Sequence, residues 1–428
     1  MKQKTTLAAA LIAILATSLL AAHPAYTIEA TTDRPEALYA RGEPIAFRLR
    51  LKQGDKAVAG QRLTYKITKD GVGTLGEGSI ESSNEPVSVQ ASLSEPGFVR
   101  CEVTFTSPAS TQPVSGVAGA GVDPEKIRPS LPVPDDFDAF WAAQKELLAA
   151  EPMKPVLTPV ESPDESIETF DVQVNCPAPG NNVCGYLARP KGAAGKSLPA
   201  ILYPHSAGVR DSDLKHAVRG AKLNAIALDF NAHGLPNGKG EQFYKDQYPN
   251  GPFKGYSARG MDDREQMYFR GMYMRLLRAL DFLTTLPEWD GKILIVEGSS
   301  QGGGQALVAA GLDPRVTLCL ASVPAMCDHT GLVANQANGW PKMLRANRDG
   351  TLDPKATEVV RYFDAMNFAT RIQCPTIVSV GFVDKVCPPT SVFAAYNNIP
   401  AGVKKQIVMR PAMGHSFPQD LIKAWDDV

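Results

Sequence analysis

The clearest structural signal in this chain is the stretch Lys292-Ile-Leu-Ile-Val-Glu-Gly-Ser-Ser-Gln-Gly-Gly-Gly-Gln-Ala-Leu307. The apolar run from Lys292 to Glu297 predicts a buried strand, and the residues from Gln305 to Leu312 predict a helix. Between them, Gly298–Gly302 fits the pattern G-x-S-x-G, which places Ser300 at the tip of a sharp strand-to-helix turn. A serine held there can attack an ester carbonyl if a histidine and a carboxylate reach it.

The residues that flank Ser300 suit a tight turn that presents a nucleophile. Gly298 and Gly302 lack side chains, so the strand and the helix can approach each other closely. The backbone N–H of Gln301 lies at the start of the helix and can donate to an oxyanion. An ordinary glycine-rich turn would satisfy the pattern alone. The strand before it and the helix after it favour the nucleophile elbow of an α/β-hydrolase.

Two further residues complete a predicted catalytic triad, because the order along the chain in this fold is serine, acid, histidine. Asp384 follows the predicted strand Thr376–Val380, and His415 follows the predicted strand Lys405–Met409. Both would lie at the carboxyl ends of strands, where the active sites of open α/β sheets form. His415 would take the proton of Ser300, and Asp384 would orient the imidazole.

These two assignments have simpler alternatives. Asp384 could cap the helix that begins at the following prolines, and His415 could be a surface histidine. Other aspartates also follow the serine, but none of them comes directly after a predicted strand: Asp353, Asp364 and Asp420.

The first predicted parallel strand, Pro199–Tyr203, is followed by His205-Ser-Ala207. This fold takes its second oxyanion donor from that turn, so a backbone N–H at Ser206 or Ala207 is the candidate, with a plain turn as the alternative. The side chain of His205 is a candidate substrate contact.

Two more residues are candidates for substrate binding. His233 follows the next predicted strand and could bind substrate or brace its own loop. Trp340 lies in a long segment, Asp328–Thr370, that predicts extra helices near the site. Its indole could stack on a sugar ring or could belong to the core or a lid.

Length and patterning predict two domains. The 428 residues exceed one typical domain, and a composition of 44% hydrophobic and 21% charged residues is ordinary for globular proteins. Strands and helices alternate from Glu165 onward, which predicts an α/β-hydrolase fold with a mainly parallel sheet. Short alternating runs at 26–122 predict a small all-β sandwich of immunoglobulin-like type. The stretch Ser115–Pro134 is Gly- and Pro-rich, which predicts a linker, and we set the domain boundaries with 123–134 as the linker and 135–428 as the catalytic domain.

The N-terminus predicts export. Lys2 and Lys4 precede the apolar run Leu7–Ala22, and small residues around Ala21 to Ala25 offer a cleavage site, so we expect residues 1–25 to be a signal peptide, with an uncleaved anchor as the alternative. The protein would then be periplasmic or secreted. A net charge of −1 gives no indication of nucleic acid or an anionic membrane as partner.

The seven cysteines predict neither a metal site nor a fixed disulfide pattern. No pair has zinc-site spacing with a nearby histidine, so we expect no metal and no cofactor. In an exported protein Cys176 could pair with Cys184 across a hairpin, and Cys374 and Cys387 bracket one strand. Buried thiols are the alternative for most of them, and the sequence leaves this open.

Four segments carry a family resemblance: Pro134-Asp-Asp-Phe-Asp-Ala-Phe-Trp141, Gly298-Ser-Ser-Gln-Gly-Gly303, Tyr362-Phe-Asp-Ala-Met-Asn-Phe-Ala369 and Val380-Gly-Phe-Val-Asp-Lys-Val-Cys-Pro-Pro389. From about Pro124 to the C-terminus the chain resembles the acetyl xylan esterase and cephalosporin-C deacetylase family (carbohydrate esterase family 7) of α/β-hydrolases. The resemblance implies a metal-free esterase that removes acetyl groups from small acetylated sugars. It also implies that Ser300 is the nucleophile, Asp384 the acid and His415 the base.

The chain departs from the family pattern in three places. It has Asn231-Ala-His-Gly234 where the family usually has Arg-Gly-Gln, His205-Ser-Ala207 where it usually has His-Gly-Tyr, and Ser416 where it usually has Glu. The triad is unaffected. The shape of the substrate pocket and the ring-like homo-oligomer usual in the family are left open.

Two other functions remain open at the level of sequence, because a fold does not determine its substrate. The chain could be another serine hydrolase, such as a prolyl-oligopeptidase-like peptidase or a lactone or bulkier-ester hydrolase. It could also be a non-catalytic protein whose sandwich binds a carbohydrate or another partner. Replacing Ser300 with alanine distinguishes a hydrolase from a binding protein, because binding by the sandwich would survive the replacement.

Overall fold

The structure is a computed structural model and describes residues 25–108, 112–177 and 182–428. Residues 1–24 of the predicted signal peptide therefore lie outside the described residues. Within the described ranges, none of the helices combines the length and the apolar character that crossing a bilayer requires.

The N-terminal part is built from two facing β-sheets. One sheet contains β1, β3, β4 and β7, and the other has the strand order β2-β9-β8-β5-β6. Their strands are β1 (Tyr26–Thr32), β2 (Leu38–Tyr39), β3 (Ile45–Gln53), β4 (Lys56–Ala57), β5 (Arg62–Lys69), β6 (Val72–Glu81), β7 (Val87–Ala91), β8 (Gly97–Phe105) and β9 (Val114–Val122). We refer to this part as the sandwich.

Alternation of side chains explains the core of the sandwich. Ile45, Phe47 and Leu49 occupy every second position of β3 and are fully buried, and they pack with Val99 and Cys101 of β8. Successive side chains of a strand point to opposite faces, so one face of each sheet is apolar and covered. The prediction that the linker begins at Ser115 was wrong: residues 115–122 form most of β9, because their backbone pairs with β8 despite the high glycine content.

The C-terminal part is a nine-stranded sheet with the order β10-β11-β12-β14-β13-β15-β16-β17-β18. Along this order, neighbouring strands from β10 to β14 pair antiparallel. Neighbouring strands from β14 through β13 to β18 pair parallel. The strands are β10 (Val156–Val160), β11 (Ile167–Val174), β12 (Val183–Pro190), β13 (Leu198–Pro204), β14 (Ile226–Phe230), β15 (Trp289–Ser299), β16 (Leu318–Ser322), β17 (Thr376–Gly381) and β18 (Lys405–Arg410). The predicted α/β-hydrolase fold is confirmed.

Both faces of this sheet are covered. Leu187 and its neighbour Ala188 belong to different hydrophobic clusters, and Ala188 packs with Ala217 of α2. The helices are α1 (Phe137–Ala150), α2 (Leu214–Lys222), α3 (Glu241–Gln247), α4 (Tyr268–Thr285), α5 (Gln301–Leu312), α6 (Pro354–Val360), α7 (Ala365–Ala369), α8 (Pro389–Asn398) and α9 (Gln419–Asp426). Burial on both faces explains why the parallel strands are continuous apolar runs.

Three local expectations are refined by the structure. The predicted helix Gln305–Leu312 begins at Gln301, because its glycines are packed against neighbouring backbone rather than exposed. The segment Asp328–Thr370 does contain extra helices, α6 and α7. All seven cysteines are thiols, so neither of the pairings left open by the sequence is formed.

Candidate active site

The structure brings Ser300, His415 and Asp384 into one hydrogen-bonded chain. The Nε2 atom of His415 lies 2.9 Å from the Oγ atom of Ser300, and its Nδ1 atom lies 2.8 Å from Oδ2 of Asp384. The three residues follow β15, β18 and β17, whose carboxyl ends meet at one edge of the sheet. Nucleophile, base and orienting carboxylate thus stand in the arrangement of a serine hydrolase triad.

A strained backbone presents the serine. Ser300 has φ 58° and ψ −122°, a conformation that residues with a side chain rarely adopt. Its N–H donates to the carbonyl of Ser322 at 2.9 Å, and its own carbonyl accepts from the N–H of Gly304 at 3.0 Å and of Ala325 at 2.9 Å. These bonds to β16 and α5 hold the turn in place.

Two glycines make this turn sterically feasible. A Cβ atom on Gly298 would lie 2.3 Å from the backbone of Gly302, and one on Gly302 would lie 2.2 Å from the carbonyl oxygen of Pro204. Both distances are far inside van der Waals contact, so any side chain would push β13, β15 and α5 apart. The glycines of G-x-S-x-G are therefore needed for the close approach predicted above.

The carboxylate of Asp384 is completely buried and oriented by its own loop. Its Oδ1 atom accepts hydrogen bonds from the backbone N–H groups of Val386, at 2.8 Å, and Cys387, at 2.9 Å. This leaves Oδ2 for His415. The side chain has no freedom to rotate away from the imidazole without breaking both bonds to the backbone.

The serine opens into a cleft of about 420 Å³. Ser416, the residue after His415, is one of the residues that line it. The lining residues are Ser206, Ala207, Ser299, Ser300, Val323, Trp340, Val386, His415, Ser416 and Phe417.

The two predicted oxyanion donors lie on elements that are bonded to each other. Gln301 is the first residue of α5, where a backbone N–H has no acceptor within the helix. Ala207 lies in the cleft wall. The hydroxyl of Ser206 donates to the carbonyl of Ser299 at 2.9 Å, and the amide of Gln305 donates to the carbonyl of His205 at 3.1 Å. The turn after β13 is thereby fastened to the elbow.

The side chain of His205 lies in a separate buried network. Its Nε2 atom is 2.8 Å from Oδ1 of Asp229, whose Oδ2 is 2.9 Å from Nδ1 of His216. Burial opposes ionisation of Asp229, but the charges and hydrogen bonds of the two histidines outweigh it and hold its pKa below the usual range. His205 braces the turn that carries Ala207, and the structure does not bring its imidazole to the serine.

The imidazole of His233 is likewise a brace. Its Nε2 atom lies 3.1 Å from the carbonyl oxygen of Gly208, and its Nδ1 atom lies 2.5 Å from the hydroxyl of Tyr268. Since a carbonyl only accepts, Nε2 carries the proton. Burial lowers the pKa of His233 to about 3, so the ring is neutral and holds the loop after β14 rather than a substrate.

Of the three predicted substrate contacts, only Trp340 lies in the cleft wall. Its ring is half-buried and 6.5 Å from the ring of Tyr256. Its backbone N–H donates to the carbonyl of Val386 at 3.1 Å, and its carbonyl accepts from the N–H of Met326 at 2.7 Å. The inserted segment thus places an aromatic face beside the triad.

Cys387 lies next to the triad, although no sequence pattern indicates a function for it. Asp384, Cys387 and His415 present atoms of metal-ligand type within 4.8 Å of one another. Burial raises the pKa of the Cys387 thiol well above its ordinary value, so the thiol stays neutral. The hydrogen bonds of Asp384 and His415 account for this cluster without an ion.

Comparison with known proteins agrees with this geometry. The family described as Acetyl xylan esterase (AXE1) matches residues 124–424. The chain belongs to the acetyl xylan esterase family. It is therefore a carboxylic ester hydrolase. The acetyl esterase Axe7A of Xylanibacter ruminicola is 33% identical over 359 residues, which cover 82% of this chain and 79% of that protein.

Two solved acetyl xylan esterases share the fold. The enzyme from Paenibacillus sp. R4 is 28% identical, with a TM-score of 0.60 over 71% of this chain and 98% of its own. The enzyme from Thermoanaerobacterium sp. JW/SL YS485 is 23% identical, with a TM-score of 0.57 over 71% of this chain and 96% of its own. Each solved enzyme therefore matches over nearly its whole length, whereas the present chain is longer and matches over 71% of its residues.

We expect the exchange Asp384→Asn to lower kcat by about 10⁴-fold, because an amide in place of the carboxylate favours the wrong tautomer of the histidine. The measurement is kcat for p-nitrophenyl acetate. Asp353→Asn is the matched control, since Asp353 is an exposed aspartate that caps α6 through two backbone N–H groups, a role that asparagine also fills. Equal activity of the two variants would contradict the assignment of Asp384.

Proposed function

We propose that this protein is an exported serine esterase that removes acetyl groups from acetylated sugars, such as xylan-derived oligosaccharides, through Ser300, His415 and Asp384. The observation that carries the proposal is the continuous hydrogen-bond chain from serine to buried carboxylate, with contacts of 2.9 and 2.8 Å. The names of the relatives support an acetyl ester as the substrate.

In the first half of the proposed reaction, Oγ of Ser300 attacks the acetyl carbonyl carbon while Nε2 of His415 takes its proton. Asp384 stabilises the imidazolium that forms. The backbone N–H groups of Gln301 and Ala207 donate to the oxyanion of the tetrahedral intermediate. The intermediate collapses when the sugar hydroxyl leaves with the proton from His415, and an acetyl-serine remains.

In the second half, water replaces the sugar. His415 takes a proton from the water as the water attacks the acetyl-serine, and the same oxyanion donors stabilise the second intermediate. Acetate leaves and Ser300 regains its proton. Each proton transfer uses the single Nε2 atom, so no further acid or base and no metal is required.

The cleft supports a short acyl group. Its lining includes the apolar residues Val323, Trp340 and Phe417, and its volume of about 420 Å³ must also hold part of the sugar. A longer acyl chain would compete with the sugar for this space. The lining contains no Asp, Glu, Lys or Arg, which suits an acetyl methyl group better than a charged substituent.

We expect activity on p-nitrophenyl esters to be highest for acetate and to fall by about tenfold or more towards octanoate, because overfilling a packed site costs about 1–3 kcal/mol. The measurement is kcat/KM for the acetate-to-octanoate series. Ser300→Ala, which removes the nucleophile, is the control and should be inactive on every ester. Activity that rises with chain length would favour a bulkier-ester hydrolase, and absence of activity on all esters would favour a peptidase.

The half-buried ring of Trp340 is the best-placed group for binding the sugar. We expect Trp340→Ala to raise KM for acetylated xylo-oligosaccharides about 3- to 10-fold, which corresponds to about 0.5–1.5 kcal/mol of lost aromatic stacking. KM for p-nitrophenyl acetate, measured in parallel, should stay within a factor of about two, because that ester has no sugar ring to stack. Trp340→Phe keeps an aromatic face and is the control. An equal rise for both substrates would indicate that the residue shapes the acyl pocket instead.

We further propose export, supported by the basic and apolar N-terminal segment. When the full chain is produced in a bacterial host, N-terminal sequencing of the mature protein should find a start among the small residues Ala21–Ala25 or at Tyr26. A protein that remains intact from Met1 and stays with the cells would contradict this.

A further inference from the structure

The sandwich contacts the loop that carries the catalytic acid. We call residues 382–388, between β17 and α8, the acid loop. Phe98, Arg100 and Glu102 occupy alternate positions of β8 and so share one face of that strand. This face is turned towards the acid loop and the start of α8, while Val99 and Cys101 between them belong to the core of the sandwich.

An aromatic contact fixes the beginning of the acid loop. The ring of Phe98 is 4.9 Å from the ring of Phe382 and 5.4 Å from that of Phe393 in α8, and only 1% of Phe98 is exposed. On the neighbouring strand β9, a Cβ atom on Gly119 would lie 2.3 Å from the carbonyl oxygen of Phe382. The sandwich backbone therefore touches the loop two residues before Asp384.

A carboxylate from the sandwich fixes the end of the acid loop. Helix α8 begins at Pro389 after Pro388, which has no side chain that could accept a hydrogen bond. Instead Oδ2 of Asp70 accepts from the backbone N–H of Thr390 at 3.1 Å and from its hydroxyl at 2.8 Å. Asp70 thus acts as the N-terminal cap of a helix in the other part of the chain, at the positive end of the helix dipole.

This cap is itself held firmly. Oδ1 of Asp70 lies 3.2 Å from the guanidinium of Arg100, and both side chains are buried. At the exposed rim the ammonium group of Lys385, the residue after Asp384, lies 3.0 Å from the carboxylate of Glu102. The acid loop is therefore contacted by the sandwich before, beside and after its aspartate.

We propose that the sandwich is a positioning element of the catalytic acid, in which Phe98 and Asp70 set the place of the acid loop. Inside the loop, Asp384 is oriented by the N–H groups of Val386 and Cys387, so the position of the loop determines the distance from Oδ2 of Asp384 to His415. The sandwich acts through the loop and touches no substrate. This inference rests on the proposed function, in which Asp384 is the acid of the triad.

The test compares neighbouring residues of β8 that face opposite ways. Phe98→Ala and Asp70→Gly remove contacts with the acid loop and α8, whereas Val99→Ala removes a fully buried side chain from the core of the sandwich. Glycine suits the positive φ of 50° at Asp70 and, unlike asparagine, has no side-chain oxygen that could cap α8. For Phe98→Ala and Asp70→Gly we expect kcat for p-nitrophenyl acetate to fall about 10- to 100-fold with KM within about twofold, because a small displacement of a catalytic group affects mainly the chemical step. Val99→Ala should keep the wild-type kcat while it is folded.

Hydrogen exchange of the Val386 and Cys387 amides provides a readout that does not depend on activity. Exchange should accelerate in Phe98→Ala and Asp70→Gly and should stay at the wild-type rate in Val99→Ala. All assays are made below the unfolding transition of each variant, and Phe98→Leu replaces Phe98→Ala if the latter does not fold.

Wild-type kcat and wild-type exchange in the folded Phe98 and Asp70 variants would overturn the inference. So would equal losses in Val99→Ala, which would show a general effect of stability. If the wild-type protein hydrolyses no ester, the proposed function fails, and the exchange rates still decide whether the sandwich holds the loop.

Discussion

The strained, positive-φ backbone of Ser300 is the constraint around which the catalytic part is arranged. A residue with a side chain takes this conformation only when its surroundings over-determine it. Here β13, β16 and α5 all contribute, through the bonds of Ser300 to Ser322 and Ala325 and through the contact of Gly302 with Pro204. Strand order, glycine positions and the start of α5 are therefore parts of one arrangement that leaves the hydroxyl exposed at the sheet edge.

The strands that hold the serine also set the distances to its partners. Ser300 and Asp384 follow β15 and β17, which are separated by β16, and His415 follows the edge strand β18. Parallel strands end at the same side of a sheet, so residues far apart in sequence meet without long side chains. The bracing histidines, His205 and His233, follow β13 and β14 at this edge and hold the loops there.

Much of this was predictable from sequence. The elbow, the acid and the histidine are local patterns, each a strand followed by a characteristic residue, and short-range patterning is what a sequence displays best. The role of His205 was not predictable, and for His233 the sequence left substrate binding and loop bracing open, because both histidines follow strands and their orientation depends on Asp229 and Tyr268, which approach from other parts of the chain. The start of α5 was placed too late, because glycine is a poor helix former in water and only tertiary packing makes those glycines helical.

The hydrogen bond between Asp70 and Thr390 joins residues 320 positions apart in the chain. A ribosome completes the sandwich long before it completes the acid loop, and domains of a multidomain chain generally fold in that order. The face of β8 is then a finished surface when Phe382 and Thr390 emerge. The triad is consequently completed late: a chain that ends just before α8 holds Ser300 and the acid loop but lacks both Thr390, to which Asp70 bonds, and His415.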